Sequence, residues 1–422
     1  MGEIFANPLT ELAEYGDMKQ DLMKGKGPVQ ICGVTDSQKV HVMYQVSEEK
    51  AWRLVVTHDD TRARELYDDF SYFEKNTWLY PARDLLFYSS DIHGNLLTRQ
   101  RMQVFKHLME DVGGTVVTTV DGLMDHLLPL SMMKERRILV ESGEVLDIGD
   151  MKERLRNLGY ERTGQVDGMG QFSIRGGIID IFPLTEELPV RIELWGDEVD
   201  SIRSFDPESQ RSITQMDSVL IYPAAELTLT KEQMENGTDR IEKEGKKQEK
   251  AFREAGKPEE AHRIKSIIAE LVDGIREGWK LGGLDNYLRY FAEDTVSFLD
   301  YFPEENSLLF LDEPARLREK GETVEMEFRE SMMHRLEKGY LLPGQTDLLY
   351  PAAAVLARVE AQLRRYKQFS GGGGSAVLTH GDLTLDREKV GDLETEMVRE
   401  FFYAVSYGAA MNLHIRQMSG AN

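Results

Sequence analysis

Among 422 residues there is one cysteine, Cys32. A lone thiol excludes an intramolecular disulfide and fits a reducing compartment, so a cytoplasmic location is expected. No apolar run approaches the roughly 18 residues that a membrane span needs, so no membrane contact is expected. The first residues, MGEIFANPLTELAEYGD, carry acids early and have no apolar stretch, which excludes a secretory signal. Basic residues are in deficit: 51 Lys and Arg stand against 74 Asp and Glu, a net charge of −23. Phosphate neutralisation needs clustered cations, so a chain that holds nucleic acid mainly by charge is excluded. The nine histidines all lie more than four residues apart, and there is no cysteine pair. No H-x-x-x-H or C-x-x-C spacing is therefore available, and neither a metal nor a cofactor is expected. A G-x-S-x-G hydrolase elbow is also missing.

What is present is a globular composition, 41% apolar and 30% charged, long enough for several domains. Residues 1–136 alternate strand-like and helix-like segments: Trp52-Arg-Leu-Val-Val56, a helical face of Leu97, Phe105, Leu108 and Met109, then Gly114-Thr-Val-Val-Thr-Thr119. Such alternation predicts an α/β layer with a mostly parallel sheet. Residues 137–222 change to short strands punctuated by Gly176-Gly177 and Gly196-Asp197, which supply the positive φ of tight hairpins. That pattern predicts a small, antiparallel, mainly β module. Residues 223–359 begin with a charged helical stretch, with an apolar stripe of Ile264, Ile267, Ile268, Leu271 and Ile275, and return to α/β at Leu308-Leu-Phe-Leu311. Residues 360–375 read as a linker ending in Ser370-Gly-Gly-Gly-Gly-Ser375, and residues 376–422 as a tail.

Gly33-Val-Thr-Asp-Ser-Gln38-Lys39-Val40 lies where a G-x-x-x-x-G-K-[ST] phosphate loop would. Gln38 replaces the glycine that lets the backbone wrap phosphate, and Val40 replaces the hydroxyl that ligates Mg²⁺. Leu308–Leu311 followed by Asp312 and Glu313 has the shape of the acidic strand end of a nucleotidase, or of a strand followed by a polar turn. In the β module, Arg191 and Trp195 are four apart and share one strand face, while Arg175 lies on a neighbouring strand. These residue types anchor protein interfaces. The alternative is a core tryptophan with the arginines paired to Glu193, Asp197 or Asp200.

The run Phe172-Ser-Ile-Arg-Gly-Gly-Ile-Ile-Asp-Ile-Phe-Pro183, continued by Arg191-Ile-Glu-Leu-Trp-Gly-Asp197 and Ser204-Phe-Asp-Pro-Glu-Ser-Gln-Arg-Ser212, resembles the second domain of UvrB and of the transcription-repair coupling factor family. The decayed phosphate loop and the Ser204–Ser212 phrase favour the coupling factors, and Pro81-Ala-Arg-Asp-Leu-Leu-Phe87, Leu97-Thr-Arg-Gln-Arg101 and Leu311-Asp-Glu-Pro314 fit that family too. The resemblance spans about residues 1–359 and implies a helicase-like α/β body, derived from a P-loop NTPase, with an inserted β domain. It implies UvrA as partner, docked through Arg175, Arg191 and Trp195. RNA polymerase and DNA would be engaged only through other parts of such a protein. After the glycines, Lys389–Phe402 and Met411–Arg416 resemble a piece of imidazoleglycerol-phosphate dehydratase, so the linker reads as a join and the tail as dispensable. The expected function is a non-catalytic, UvrA-recruiting adaptor of nucleotide excision repair. The alternatives are a UvrB-like ATP-dependent repair helicase subunit, opposed by Gln38 and Val40, and a fragmentary lyase, opposed by the lack of a histidine cluster.

Overall fold

The computed structural model describes residues 15–16, 19–20, 29–32, 34, 36–47, 50–83, 93–277, 283–303, 306–365 and 375–379. Four strands come first: β1 (Val29–Cys32), β2 (Trp52–Thr57), β3 (Thr77–Tyr80) and β4 (Gly114–Thr119). The chain then builds β5 (Ile138–Glu141), β6 (Glu161–Arg162), β7 (Gln171–Arg175), β8 (Ile178–Ile181), β9 (Val190–Trp195), β10 (Glu198–Phe205), β11 (Ser212–Met216) and β12 (Ser218–Ile221). It returns with β13 (Ser307–Asp312) and β14 (Ser375–Thr379).

The first and last groups form one parallel sheet in the order β1–β14–β13–β2–β4–β3. Rich in apolar and β-branched residues and without strict alternation, β2, β4 and β13 are buried along their whole length, as strands covered by helices on both faces must be. Helix Asp60–Phe73 starts at Asp59, whose carboxylate accepts the Arg62 N–H at 2.8 Å, and buries Ala63, Leu66 and Phe70. Helix His93–Glu110 buries Phe105, Leu108 and Met109 as the sequence predicts, adds Met102, and leaves Leu97 half-buried.

The eight intervening strands form the inserted module. Its sheet runs β11–β10–β9–β8–β7–β6, antiparallel except at β6–β7. The two hairpin turns behave as expected at their first residue only: Gly176 (φ 62°) and Gly196 (φ 65°) are left-handed, while Gly177 and Asp197 are not. This is the pattern of a two-residue turn with glycine at its first central position. The entering and leaving strands β5 and β12 pair with each other, Ile138 opposite Ile221, and close a neck.

Downstream, Thr230 and Gln233 cap helix Lys231–Glu254 reciprocally. That helix packs on Pro258–Glu277, where Ile264, Ile268, Leu271 and Ile275 are buried and Ile267 partly so. Gly237 is required there, because a Cβ would overlap the Phe291 ring. The charged run from Glu242 carries i,i+4 ion pairs, Lys246 to Glu242 and Arg253 to Glu249, as a solvated face should.

One expectation needs correction. Ser375–Thr379, read as the last linker residue and the start of a dispensable tail, is a strand seated between β1 and β13, with Ala376 opposite both Val29 and Phe310. Removing it strips one ladder from each neighbour. A chain ending at Gly374 should melt below one ending at Thr379 by roughly 5 °C or more, at about 1 kcal/mol per lost hydrogen bond. Equal melting temperatures would show that β14 adds nothing.

Candidate functional site

Strand register places the three candidate docking residues on one face of the module. Inward-facing Ile179 and Ile192 are opposite each other and fully buried. The alternate positions therefore face out: Asp180 opposite Arg191, and Ile178 between Arg175 and Glu193. Trp195, two residues beyond Glu193, shares this face and is 83% exposed, so it is no core tryptophan.

The arginines do not pair with Glu193, Asp197 or Asp200. Both converge on Asp180, a fully buried carboxylate. Arg191 meets it through Nε at 2.6 Å and Nη2 at 2.9 Å, and Arg175 through Nη2 at 2.7 Å. Arg191 also lies 4.5 Å from the Phe205 ring and donates to the Gln210 side chain at 3.1 Å. Asp180's hydrogen bond raises its pKa further. With 15% exposure Arg191 is held by the module itself, whereas Arg175, 45% exposed, keeps donors free to reach outward. Sequence reading missed Asp180. The Gly176-Gly177 turn sets Asp180 opposite Ser173 only; its place opposite Arg191 comes from the β8–β9 pairing, across residues 182–189, for which the sequence carries no tight-turn signal.

The decayed phosphate loop leads to a different geometry. Gly33 lies outside the described residues. Gln38, half-buried, and Val40, fully buried, sit on helix Asp36–Val46. Lys39 is 2% exposed on the same helix and donates to Asp312 Oδ1 at 2.6 Å and to Glu313 Oε1 at 3.2 Å. Arg62 Nε at 3.1 Å and the Thr57 hydroxyl at 3.2 Å take Asp312 Oδ2. Burial alone would push Asp312 upward, but Lys39 and Arg62 outweigh it and hold the carboxyl below its usual range. Arg62 also pairs with Glu65 at 2.9 Å, so the network runs on to the surface, and both oxygens of Asp312 are engaged where a nucleotide-bound Mg²⁺ would need one. No group of residues suited to hold a metal occurs among the described residues. None of the described helices is long and apolar enough to cross a membrane.

A third polar cluster, missed by the sequence reading, joins the module's exit to the body. Fully buried Arg101 forks onto Glu226 at 2.6 and 2.9 Å, and bonds Asp125 at 2.8 Å and the Pro81 carbonyl at 2.8 Å. Arg83 adds a 2.6 Å bond to Glu226. Against the cost of burial the two guanidiniums hold Glu226 down at about 2, while burial pushes Asp125 and Asp285 up.

Residues 138–227 match the model of the UvrB interaction domain family, and residues 360–422 match imidazoleglycerol-phosphate dehydratase. The chain resembles transcription-repair coupling factors and UvrB. The Bacillus subtilis transcription-repair-coupling factor is 35% identical over 317 residues, which is 75% of this chain and 26% of that protein. The UvrABC system protein B of Thermosipho africanus is 29% identical over 315 residues, 70% of this chain and 47% of that protein. A Staphylococcus epidermidis coupling factor is 26% identical across 86% of this chain and 30% of its own length. The chain thus spans between a quarter and a half of these relatives. The observed mixed α/β body with its antiparallel module is the fold class read from the sequence. The dehydratase match reaches back to residue 360, so it takes in the last turns of helix Ala352–Arg365 and all of β14.

The Arg101 cluster sets a pH dependence. Glu226 sits at about 2 in the fold against a usual value of 4.5. A depressed carboxylate contributes stability above its usual pKa and loses it as pH falls from about 4.5 towards 2. Glu226→Gln should cost about 3 kcal/mol or more at pH 7, because it leaves Arg83 and the Arg101 fork without the carboxylate they share, with only Asp125 remaining on Arg101. Its melting temperature should then fall less steeply than the parent's between pH 4.5 and 2. Parallel acid slopes for the two proteins would remove Glu226 from this role.

Proposed function

We propose that this chain is the UvrA-recruiting part of a transcription-repair coupling factor in nucleotide excision repair, and that it is not catalytic by itself. The observation that carries the reading is the outward face of the module, where Arg175 and Trp195 stand exposed over a buried acid within the segment that matches the UvrB interaction domain. A guanidinium with free donors beside an exposed indole fits a protein surface offering a carboxylate and an apolar recess. RNA polymerase and DNA would be partners of other parts of the protein. The absence of ATP chemistry rests on Lys39, whose ammonium is spent on Asp312 and Glu313.

Two measurements test this. Arg175→Ala should weaken binding to purified UvrA about thirtyfold, corresponding to about 2 kcal/mol, with an unchanged circular dichroism spectrum. Arg191→Ala should lower the melting temperature as well, because it removes the fork that pairs with buried Asp180. Lys247→Ala, on the exposed face of the distant helix hairpin, should leave binding unchanged. Parent-like affinity of a folded Arg175→Ala variant would refute the docking assignment.

Calorimetric titration with Mg·ATP should give no saturable heat, and Lys39→Met should not alter that result. Saturable nucleotide binding that disappears in Lys39→Met would instead favour a UvrB-like ATPase.

A further inference from the structure

The module's outward face continues beyond β9 and β10. Gly143 donates its N–H to the Val199 carbonyl at 2.8 Å, Val199 donates to the Glu144 carbonyl at 2.8 Å, and Leu146 donates to the Asp197 carbonyl at 2.7 Å. Residues 143–146 therefore extend the ladder past the start of β10, with Val145 bridged antiparallel to Glu198. Glu198 is in turn opposite Trp195. Residues directly opposite in a ladder put their side chains on the same face. Val145, Glu198 and Trp195 thus form one cross-strand row, and Leu146, the next residue along, is buried on the other side. Strands lie about 4.8 Å apart, so Val145 and Trp195 stand roughly 10 Å apart with the acid between them.

Exposure singles this row out. Trp195 at 83% and Val145 at 80% are the two most exposed large apolar side chains among the described residues. A single exposed valine is ordinary. The two extremes falling in one row, beside the face already assigned to docking, is not the scatter of a bland surface. The hydrogen bonds that fix the backbone on both sides leave these side chains no room to turn inward. Glu198 is exposed as well, and Asp197 adds a second exposed carboxylate in the adjoining turn.

We infer that Val145 and Glu198 form, with Trp195, a second contact row for the UvrA proposed above as partner. The partner surface it fits has an apolar recess broad enough to cover both Trp195 and Val145, with a cation facing Glu198. This lies beside the carboxylate that receives Arg175. Charge therefore reads in opposite senses at the two ends of the face, cationic at Arg175 and anionic at Glu198, and that polarity fixes one orientation of docking. The inference rests on the docking reading above.

The test is the affinity of purified UvrA for the full chain carrying Val145→Asp, Glu198→Lys or Trp195→Ala, with melting temperatures measured alongside. All three sites are exposed, so the variants should melt like the parent. Val145→Asp should weaken binding at least tenfold by placing a carboxylate in an apolar recess, and Glu198→Lys should do the same by setting like charges opposite one another. If Trp195→Ala weakens binding while Val145→Asp and Glu198→Lys remain within twofold of the parent, the row is wrong and the docking reading survives. If none of the three, nor Arg175→Ala, changes affinity, both fall together.

Discussion

Arg101 is a guanidinium with no access to water, and the placement of the module follows from how it is satisfied. A buried cation must be matched by charge and by hydrogen bonds on each of its nitrogens. Its fork takes Glu226, which follows the neck strand β12. Its remaining donors take Asp125 from the segment after β4 and a carbonyl at the end of β3. Tyr80 covers its face at 4.3 Å. Segments far apart in sequence are thereby tied to one planar group, and the neck cannot turn on the body without unpairing it. Arg83 on Glu226, Lys106 on Glu186, Tyr222 on Glu110 and a shared apolar core add to this tie between module and body.

Each polar cluster is built round a buried carboxylate, and the charge count separates scaffold from surface. Asp312 is paired with both Lys39 and Arg62, Lys39 reaches Glu313 as well, and Arg62 extends the group to Glu65. At Asp180 two arginines share one acid. The surplus positive charge has to emerge somewhere, and it emerges at Arg175, the more exposed of the pair. The group at the end of β13 spends its charges inside the body, while at the module surface Arg175 shares its acid with Arg191. The same physics of pairing accounts for a buried cation in one place and an exposed one in the other.

The sequence shows this fold through its periodicities. Continuous apolar runs at the centres of Trp52–Thr57 and Ser307–Asp312, against alternation at Val190–Trp195, distinguish a sheet buried on both faces from one buried on a single face. The shared face of Arg191 and Trp195 followed from strand parity alone. The partner of Arg191 did not, because Glu193, Asp197 and Asp200 are nearer to it in sequence than Asp180, and only the β8–β9 register brings Asp180 across. Arg101 and Glu226 were invisible for a stronger reason: a buried ion pair 125 residues apart leaves no local pattern. Val145 was missed because its strand is too short to read from composition.

The strand Ser375–Thr379 shows where composition and topology diverge. Its residues belong to the stretch that matches another family, yet its backbone fills the place between β1 and β13. A parallel ladder is made of main-chain groups, and it accepts any extended segment whose length and reach suffice. Family membership and structural role are therefore independent at this position. The consequence reaches the ion network. Among the described residues β1 joins the sheet through β14, and β1 leads into the helix that carries Lys39. The lysine's 2.6 Å contact with Asp312, at the end of β13, spans the strand that lies between them. A strand from the segment that matches the dehydratase family is thus part of the sheet beside which Lys39 and Asp312 meet.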